Sequence, residues 1–352
     1  MILKIIFSFA ASIINFFFIF FFIISSTFAE DNSKYYSEDH GVVSIMYHRF
    51  DENKYPSTNI KLDIFKKQLD LIEKNDMEYY DPSKFDNEFN TPKDNKKILI
   101  TIDDAFSSFY KNAWPILKKR KIPFILFVST EPVGKSGYMN WDEIKEVSNY
   151  NFAYIGNHSH THEYLLDFSN AEFEKDIKNS IKIFKEKLGY NPIFFSYPFG
   201  EYNLKQTQFI KNNFKYGFGQ HSGVIDLTKN QFELPRFPIN EKYGDLERFE
   251  FILKLFPIPY KNLKPKDKFV SKKNNPPTIE IDFFEDQKNI KNINCFSNEG
   301  NQWRNSIMKF EENILQINFR EKFSFRRGRV NCSMKDGDIW RWLGIQMSVE
   351  VN

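Results

Sequence analysis

The chain has 352 residues, 41% of them hydrophobic and 27% charged, which describes a globular protein and excludes disorder as its overall state. The net charge of +3 is too small to indicate nucleic acid as a partner. Because a single hydrophobic core rarely grows beyond about 250 to 300 residues, the length predicts one large domain and a smaller one.

The first 29 residues have the order of a signal peptide. Lys4 precedes an apolar run from Ile5 to Ile24, and small residues follow it up to Ala29. The alternative is an uncleaved membrane anchor, because about twenty apolar residues can span a bilayer. In either case the rest of the chain is expected outside the cytoplasm, in the periplasm or the extracellular space.

Apolar runs of strand length alternate with amphipathic helical stretches between residues 42 and 256. Strands are predicted at Val42–Tyr47, Ile98–Ile102, Phe124–Val128, Phe152–Ile155, Ile193–Tyr197 and Tyr216–Phe218. Helices are predicted at Leu62–Glu73, Ser107–Lys119, Trp141–Val147 and Ala171–Leu188, the last with a capping box of Ser169 and Glu172 and a closing Gly189. This alternation predicts an α/β domain over residues 30–256, with a parallel sheet that forms a barrel or an open sheet. In both architectures the chemistry lies at the carboxyl ends of the strands.

The composition changes after Phe256. Several prolines and a Lys-rich stretch predict a linker over residues 257–277, and residues 278–352 have strand-like pieces without a helical pattern. They predict a small β-rich accessory domain, a sandwich. Trp340 and Trp342 alternate along one predicted strand, where they either stack on sugars or belong to the core.

The chain has two cysteines, Cys295 and Cys332, both in the predicted β-rich domain. An even pair in an exported protein predicts a disulfide, the alternative being two buried free thiols.

Two segments that follow predicted strands combine carboxylates with imidazoles. Asp103 and Asp104 follow the strand Ile98–Ile102, although such a pair is also common in turns and helix caps. Residues 158–162 hold three of the six histidines, and in a helical turn His158 and His162 would share a face at a usual metal-ligand spacing. The alternative is a solvated polar loop. Two imidazoles and one carboxylate would leave coordination positions open for water and substrate, as in a catalytic metal site.

On these residues the chain resembles the polysaccharide deacetylase family, also called the NodB-homology domain or carbohydrate esterase family 4. The resemblance covers roughly residues 42–240 and implies a distorted, incomplete parallel β/α barrel. Five segments carry it in the order usual for the family: Ser44–Phe50, Thr101–Phe106, Met139–Asp142, His158–His162 and Tyr197–Tyr202.

The resemblance implies a division of roles among these residues. Asp104, His158 and His162 would hold a divalent metal ion, Zn2+ in the first place and Co2+, Ni2+ or Fe2+ as alternatives. Asp103 would be the general base and His221, after the last barrel strand, the proton donor, unless it is a surface loop histidine. A backbone NH after the Tyr197 turn would bind the oxyanion. Substrate contacts are expected from Trp141, Tyr197, Pro198, Phe199, Gly200, Tyr202 and His48, the last of which lines the pocket floor or caps the first strand.

The third of the family's sequence motifs departs from the usual pattern at Ser196. Most members carry an arginine there that keeps the base aspartate ionised. Arg236 is the candidate replacement, with a surface ion pair as the alternative reading.

The expected function is that of a metal-dependent hydrolase that removes N-acetyl groups from N-acetylhexosamine residues of an extracellular or cell-envelope polysaccharide. The alternatives are a non-catalytic carbohydrate-binding protein, motivated by Ser196, and an O-acetyl esterase acting on a polysaccharide. The expected partner is an N-acetylated polysaccharide, with no nucleic acid and with membrane contact only through an uncleaved N-terminal segment.

Overall fold

The computed structural model describes residues 41–91 and 96–350, so the predicted leader at residues 1–29 lies outside the described part of the chain. A parallel sheet with helices around it forms the larger part of the fold. The strands up to residue 238 are β1 Val42–Tyr47, β2 Arg49–Phe50, β3 Asn59–Ile60, β4 Glu78–Tyr79, β5 Lys97–Ile102, β6 Phe124–Val128, β7 Ala153–Asn157, β8 Phe194–Ser196, β9 Tyr216–Phe218, β10 Val224–Ile225 and β11 Phe237–Pro238. The order in the parallel sheet is β10-β1-β5-β6-β7-β8-β9, with β11 beside β1 and β4 beside β5.

The sheet curls without closing. Strands β9 and β10 stand at the two ends of its order, and β1 pairs antiparallel with β10 but parallel with β5 and β11. This confirms the predicted incomplete β/α barrel. Strands β5 and β6 are buried along their whole length, as expected where helices cover a parallel sheet.

Helices pack on the sheet through apolar residues at helical spacing. In the first helix, for example, Phe65, Leu69 and Ile72 are buried. The longest helix begins at the predicted capping box of Ser169 and Glu172. The α-helices are Leu62–Lys74, Phe85–Glu88, Trp114–Arg120, Trp141–Ser148, Asn170–Leu188, Leu204–Lys211 and Leu246–Leu253, preceded at Trp114 by a π-helical turn at Phe109–Ala113. Single 3-10 turns lie at Pro82–Lys84, Leu165–Asp167, Pro198–Gly200, Lys272–Asn274, Ile290–Asn292 and Glu299–Asn301.

The C-terminal part consists of two sheets that share one hydrophobic core. The strands are β12 Leu255–Pro257, β13 Asn262–Lys264, β14 Phe269–Val270, β15 Ile279–Asp282, β16 Ile293–Ser297, β17 Arg304–Asn305, β18 Ile307–Glu311, β19 Ile314–Asn318, β20 Arg327–Asp336 and β21 Ile339–Val349. One sheet has the order β12-β21-β20-β16-β17 with β14 beside β21, and the other has the order β13-β15-β19-β18. We call residues 255–350 the β-rich region.

The segment predicted as a linker, residues 257–277, differs from that expectation. It contributes β13 and β14 to the two sheets. Strand β13 lies at the edge of its sheet, where the proline that follows it at position 265 disrupts no central ladder. The prolines of this segment therefore accompany edge strands and do not indicate a linker.

Two further predictions concern the β-rich region. Cys295 and Cys332 face each other in the β16–β20 ladder and form the predicted disulfide. The two tryptophans do not form a shared sugar platform, because Trp340 is exposed beside Phe251 while Trp342 packs against the barrel core next to Phe237. Within the described residues, none of the helices combines the length and apolar character needed to cross a membrane.

Candidate metal and catalytic site

The carboxyl ends of neighbouring barrel strands bring the candidate residues to one edge. Asp103 directly follows β5, and His48 directly follows β1. Because β1 and β5 pair in parallel with Tyr47 opposite Ile102, the next residues, His48 and Asp103, lie side by side. The Asp103 amide donates to the Tyr47 carbonyl at 2.9 Å, which continues the ladder to this point.

Asp104, His158 and His162 form the candidate metal site. Their ligand atoms lie within 4.8 Å of one another. Asp104 Oδ1 lies 3.6 Å from His158 Nε2 and 3.1 Å from His162 Nε2. One carboxylate and two imidazoles suit a divalent ion and leave coordination positions open for water and substrate.

The buried imidazole of His158 supports this assignment. Its Nδ1 bonds to the Ser196 carbonyl oxygen at 2.7 Å, which fixes the ring and aims Nε2 at Asp104. Nε2 is buried and has no hydrogen-bond partner among the described residues. Since a buried polar atom without a partner is costly, a metal ion fits this position.

The two histidines converge from a loop and not from the predicted helical turn. Ser159 and His162 have φ angles of 71° and 57°, which no helix allows. Asp176 holds the loop by accepting hydrogen bonds from the amides of His160 at 2.8 Å and Thr161 at 3.0 Å. Because Ser159 and His162 have left-handed backbone angles, the predicted helical geometry at this position was wrong.

Asp104 belongs to a similarly unusual turn. Its φ is 74° and that of Ala105 is 53°. A non-glycine residue with left-handed backbone angles costs free energy. Such angles at Asp104 and His162, both ligand candidates, are typical of a functional site that the surrounding fold holds in place.

Arg236 forms the predicted ion pair with Asp103. Its Nη1 donates to Oδ1 at 2.7 Å and its Nη2 to Oδ2 at 2.9 Å, and both side chains are fully buried. The guanidinium also donates to Ser196 Oγ at 2.8 Å. Burial raises the pKa of Asp103, but the charge and hydrogen bonds of Arg236 together with the charges of His158 and His48 outweigh it, so the pKa lies below its usual value and the carboxylate is ionised. Its Oδ2 lies 3.8 Å from His158 Nε2.

His48 and His221, the two histidines considered outside the metal site, have different surroundings. Burial raises the pKa values of Asp103 and Asp104, and the charge of His48 is one of several that lower both. His221 lines a cavity between the barrel and the β-rich region, together with Tyr202, Glu233 and Lys268. Burial lowers the pKa of His221 to about 3, with the positive charges of Lys268 and Arg236 acting in the same direction. The loop that carries His221 packs against β21, because a Cβ on Gly344 would lie 1.9 Å from the Ser222 carbonyl oxygen.

Most of the expected substrate-contact residues are buried. Tyr197, Pro198, Gly200 and Tyr202 are buried in what we call the third-motif loop, residues 197–202, so they support the loop. The amides of Gly200 and Glu201 donate within this turn, at 2.9 and 3.2 Å, so the predicted oxyanion NH is already used.

Two aromatic residues of the expected set have different surroundings. Phe199 is half-buried and lies edge-on to the ring of His162, with 4.9 Å between centroids. Trp141 packs against Phe184 at 5.8 Å and against the barrel core, so the prediction that it contacts substrate is not supported by its position.

Sequence reasoning missed an arginine and three aromatic residues on the other side of the metal site. Arg49 lies between Phe106 and Tyr55, its guanidinium carbon 3.4 and 4.5 Å from the two ring centroids. Phe106 contacts Tyr138 at 4.9 Å, and burial together with the Asp104 charge raises the pKa of Tyr138. The positions of these residues in the sequence could have indicated them, because Arg49 follows His48 and Phe106 lies two residues after Asp104.

Comparisons with known proteins agree with this geometry. Residues 90–216 match the family model described as polysaccharide deacetylase. A poly-beta-1,6-N-acetyl-D-glucosamine N-deacetylase of Staphylococcus aureus (strain MSSA476) is 29% identical over 175 residues, which are 45% of this chain and 58% of that protein. The protein of the same name from Staphylococcus epidermidis (strain ATCC 35984) is 24% identical over 261 residues, 64% of this chain and 86% of that protein.

Two solved structures share the barrel fold. IcaB from Ammonifex degensii has a TM-score of 0.55 at 22% identity, covering 61% of this chain and 99% of that chain. The Streptococcus pyogenes deacetylase PplD in complex with acetate has a TM-score of 0.52 at 22% identity, covering 58% and 94%. The match to the S. aureus protein spans 58% of its length. The barrel segment of this chain is therefore similar to polysaccharide deacetylases over the residues that the family model matches.

Proposed function

We propose that this chain is a metal-dependent hydrolase that removes N-acetyl groups from N-acetylhexosamine residues of a polysaccharide. One observation carries the proposal. A fully buried aspartate, Asp103, is held ionised by two hydrogen bonds from Arg236, directly beside a carboxylate and two imidazoles that can hold a metal ion. An ionised carboxylate that points at a metal site is the arrangement a general base requires.

Asp104, His158 and His162 are the residues that would hold the ion, and Zn2+ suits this donor set, with Co2+, Ni2+ or Fe2+ as alternatives. When bound, such an ion supplies a water of lowered pKa and polarises the acetyl carbonyl.

The residues of the chain account for the proton transfers. Asp103 takes a proton from the attacking water, and Oδ2 is the oxygen placed for it because it faces His158. The water oxygen bonds to the acetyl carbon, and the carbon-nitrogen bond breaks to leave acetate and an amine. The nitrogen leaves with a proton, which we assign to His48 because it lies beside Asp103, whereas His221 lines a cavity with Lys268 and has a pKa lowered by burial.

The names of the relatives supply a first substrate. Both staphylococcal proteins are named for poly-beta-1,6-N-acetyl-D-glucosamine, so this polymer is the first that we propose for the present chain. A polymer of this kind lies outside the cytoplasm, in agreement with the leader-like sequence at residues 1–29.

The test combines metal analysis with acetate release. Purified protein is loaded with Zn2+, Co2+ or Ni2+ and incubated with oligomers of β-1,6-linked N-acetylglucosamine, chitin and peptidoglycan, with an O-acetylated polysaccharide in parallel. We expect acetate from an N-acetylated oligomer only when metal is present. Alanine at Asp104, His158 or His162 is expected to abolish both bound metal and acetate release.

Full activity of a metal-free His158→Ala protein would contradict the mechanism. Acetate from the O-acetylated substrate alone would replace the proposed reaction by ester hydrolysis. Tight binding of an oligomer without any acetate release would favour the carbohydrate-binding alternative.

A further inference from the structure

The β-rich region reaches the third-motif loop through the last strand of the chain. The side-chain amide of Gln346, on β21, donates to the carbonyl oxygens of Phe199 at 3.1 Å and Gly200 at 2.9 Å. On the same strand, Ser348 Oγ accepts from the Tyr202 amide at 3.2 Å. Gln346 is 3% exposed, so its hydrogen bonds are shielded from water. Removing its amide would deprive the carbonyls of Phe199 and Gly200 of this donor.

A buried acid in the same loop depends on arginines of the β-rich region. Glu201 is 2% exposed, and its carboxylate pairs with Arg326 at 3.2 Å and with Arg327 at 3.7 Å. Without these two guanidinium groups, the barrel would contain a buried carboxylate with no opposite charge beside it.

Aromatic contacts continue from the β-rich region to a metal-ligand candidate. The Arg326 guanidinium carbon lies 4.0 Å from the centroid of the Tyr164 ring. Tyr164 stacks on Phe199 with 4.2 Å between centroids, and Phe199 meets His162 edge-on at 4.9 Å. An uninterrupted series of ring contacts therefore joins the β-rich region to the imidazole of His162.

The loop needs this support because its backbone is strained. Phe199 has a φ of 59° and Gly200 a φ of 68°. A Cβ added at Gly200 would lie 2.6 Å from the Gln220 amide nitrogen and 3.0 Å from Gln346 Nε2, so only glycine fits between these groups. Since the positive φ of Phe199 costs free energy, contacts outside the loop must hold it there.

We infer that the β-rich region contributes to the catalytic centre. Gln346 and Arg326 are positioning residues that hold Phe199 against His162. This inference rests on the proposed function. In this inference β21 fixes the side of the metal site on which Phe199 faces substrate. Substitutions far from the reacting atoms are then expected to lower the rate of the chemical step.

The main test compares two glutamine variants of the full chain. Gln346→Leu removes the amide that holds the loop. Gln316→Leu is the matched control, because Gln316 lies on β19 in the other sheet and its amide bonds only at long range, 3.4 Å, to Glu280. For Gln346→Leu we expect kcat to fall about ten- to a hundredfold, a usual range for a misplaced group near a reacting centre, with KM and metal content changed far less. For Gln316→Leu we expect the wild-type kcat.

A second readout does not depend on activity. Hydrogen exchange of the peptide that contains residues 199–203 is expected to become faster in Gln346→Leu and to stay unchanged in Gln316→Leu. If the wild-type protein releases no acetate from any substrate, the proposed function fails, and this exchange difference still decides whether β21 holds the loop. Wild-type kcat and wild-type exchange in a folded Gln346→Leu protein would overturn the inference.

Should Gln346→Leu fail to fold, Arg326→Gln takes its place, because the Arg326 side chain is 20% exposed. Its matched control is Arg304→Gln, which removes another ion pair of the β-rich region, with Glu321 at 2.9 Å. A lower kcat and faster loop exchange in Arg326→Gln alone would support the inference. Equal effects of the two arginine variants would overturn it.

Discussion

Two histidines follow barrel strands in this protein, and their surroundings have little in common. His48 follows β1 at an open edge of the barrel, beside Asp103 and Asp104. His221 follows β9, where β21 packs over the loop so closely that a Cβ on Gly344 would lie 1.9 Å from the Ser222 carbonyl oxygen. A position after a barrel strand is therefore not sufficient for a catalytic role, because the element that covers the strand end decides whether substrate can reach it.

Charge separates these two regions as well. At the open edge the charges are matched, with Arg236 paired to Asp103 and two imidazoles gathered around Asp104. The cavity beside His221 contains the ammonium group of Lys268, whose pKa is lowered mainly by burial, although Glu233 lies 3.8 Å away. An imidazole that is neutral beside positive charges is a poor proton donor at neutral pH. The first predictions exploit this difference.

The largest effect is expected at the base. Asp103→Asn keeps the shape of the side chain and removes its negative charge, so turnover is expected to fall by roughly two to four orders of magnitude, the range for general acid-base groups. Metal content, measured by elemental analysis, is expected to stay at the wild-type level because Asp104 and the two histidines are intact. Loss of the metal would mean that the roles of Asp103 and Asp104 are reversed.

The comparison of the two histidines can be tested directly. His48→Gln is expected to lower kcat by about a hundredfold or more, since it removes the proposed proton donor. His221→Gln serves as the control and is expected to change kcat little, with any effect appearing in thermal stability. Steady-state kinetics on one oligomer decides between them. The opposite pattern would restore His221 as the acid and would require the loop that carries it to move.

Local patterns in the sequence predicted the barrel with good accuracy. The strands Val42–Tyr47, Phe124–Val128 and Tyr216–Phe218 have the predicted bounds, because each is a short, mostly apolar run. The longest helix ends at Gly189 as predicted, because a capping box and a left-handed glycine are local signals. The candidates Asp103, Asp104, His158 and His162 also came from local signals, because they follow strand ends in the sequence.

What the sequence could not show depends on contacts between distant segments. Strands β13 and β14 exist because they pair with β15 and β21, and no property of residues 257–277 alone indicates this. The helical turn expected for His158 and His162 was wrong because Asp176, fourteen residues beyond His162, holds the loop in another shape. The position of His48 could have been predicted from the sequence, because residues that follow neighbouring parallel strands lie side by side.

Arg236→Lys tests the support of the base. Lysine keeps one charge but cannot donate two parallel hydrogen bonds to a carboxylate, so we expect kcat to fall by about tenfold or more with metal retained. Arg236→Ala leaves Asp103 buried without an opposite charge, and a loss of about 3 to 5 kcal/mol in the free energy of unfolding is expected. Denaturant titration measures this loss. Unchanged stability and turnover in both variants would show that the ion pair has no role.

The pH dependence of stability provides a further check on that pair. The pKa of Asp103 is lower in the folded protein than in the unfolded chain, so its contribution is present in full above the unfolded value of about 3.9 and is lost as the pH falls through the folded value. The difference in unfolding free energy between wild type and Asp103→Asn is therefore expected to shrink as the pH is lowered from 5 towards 2. A difference that is constant over this range would contradict the lowered pKa.

The smallest effect on catalysis is expected from the disulfide. Cys295 and Cys332 are 37 residues apart and join neighbouring strands β16 and β20, so the bridge restricts the unfolded β-rich region by about 3 to 4 kcal/mol in the chain-entropy model. Replacing both by alanine is expected to lower the free energy of unfolding by that amount and to leave kcat at the wild-type level well below the melting temperature, because neither residue belongs to β21 or to the loops at the metal site. Denaturant titration and kinetics on the same preparation measure both quantities. A fall in kcat at a temperature where the protein is fully folded would show that the third-motif loop responds to the whole β-rich region and not only to Gln346 and Arg326.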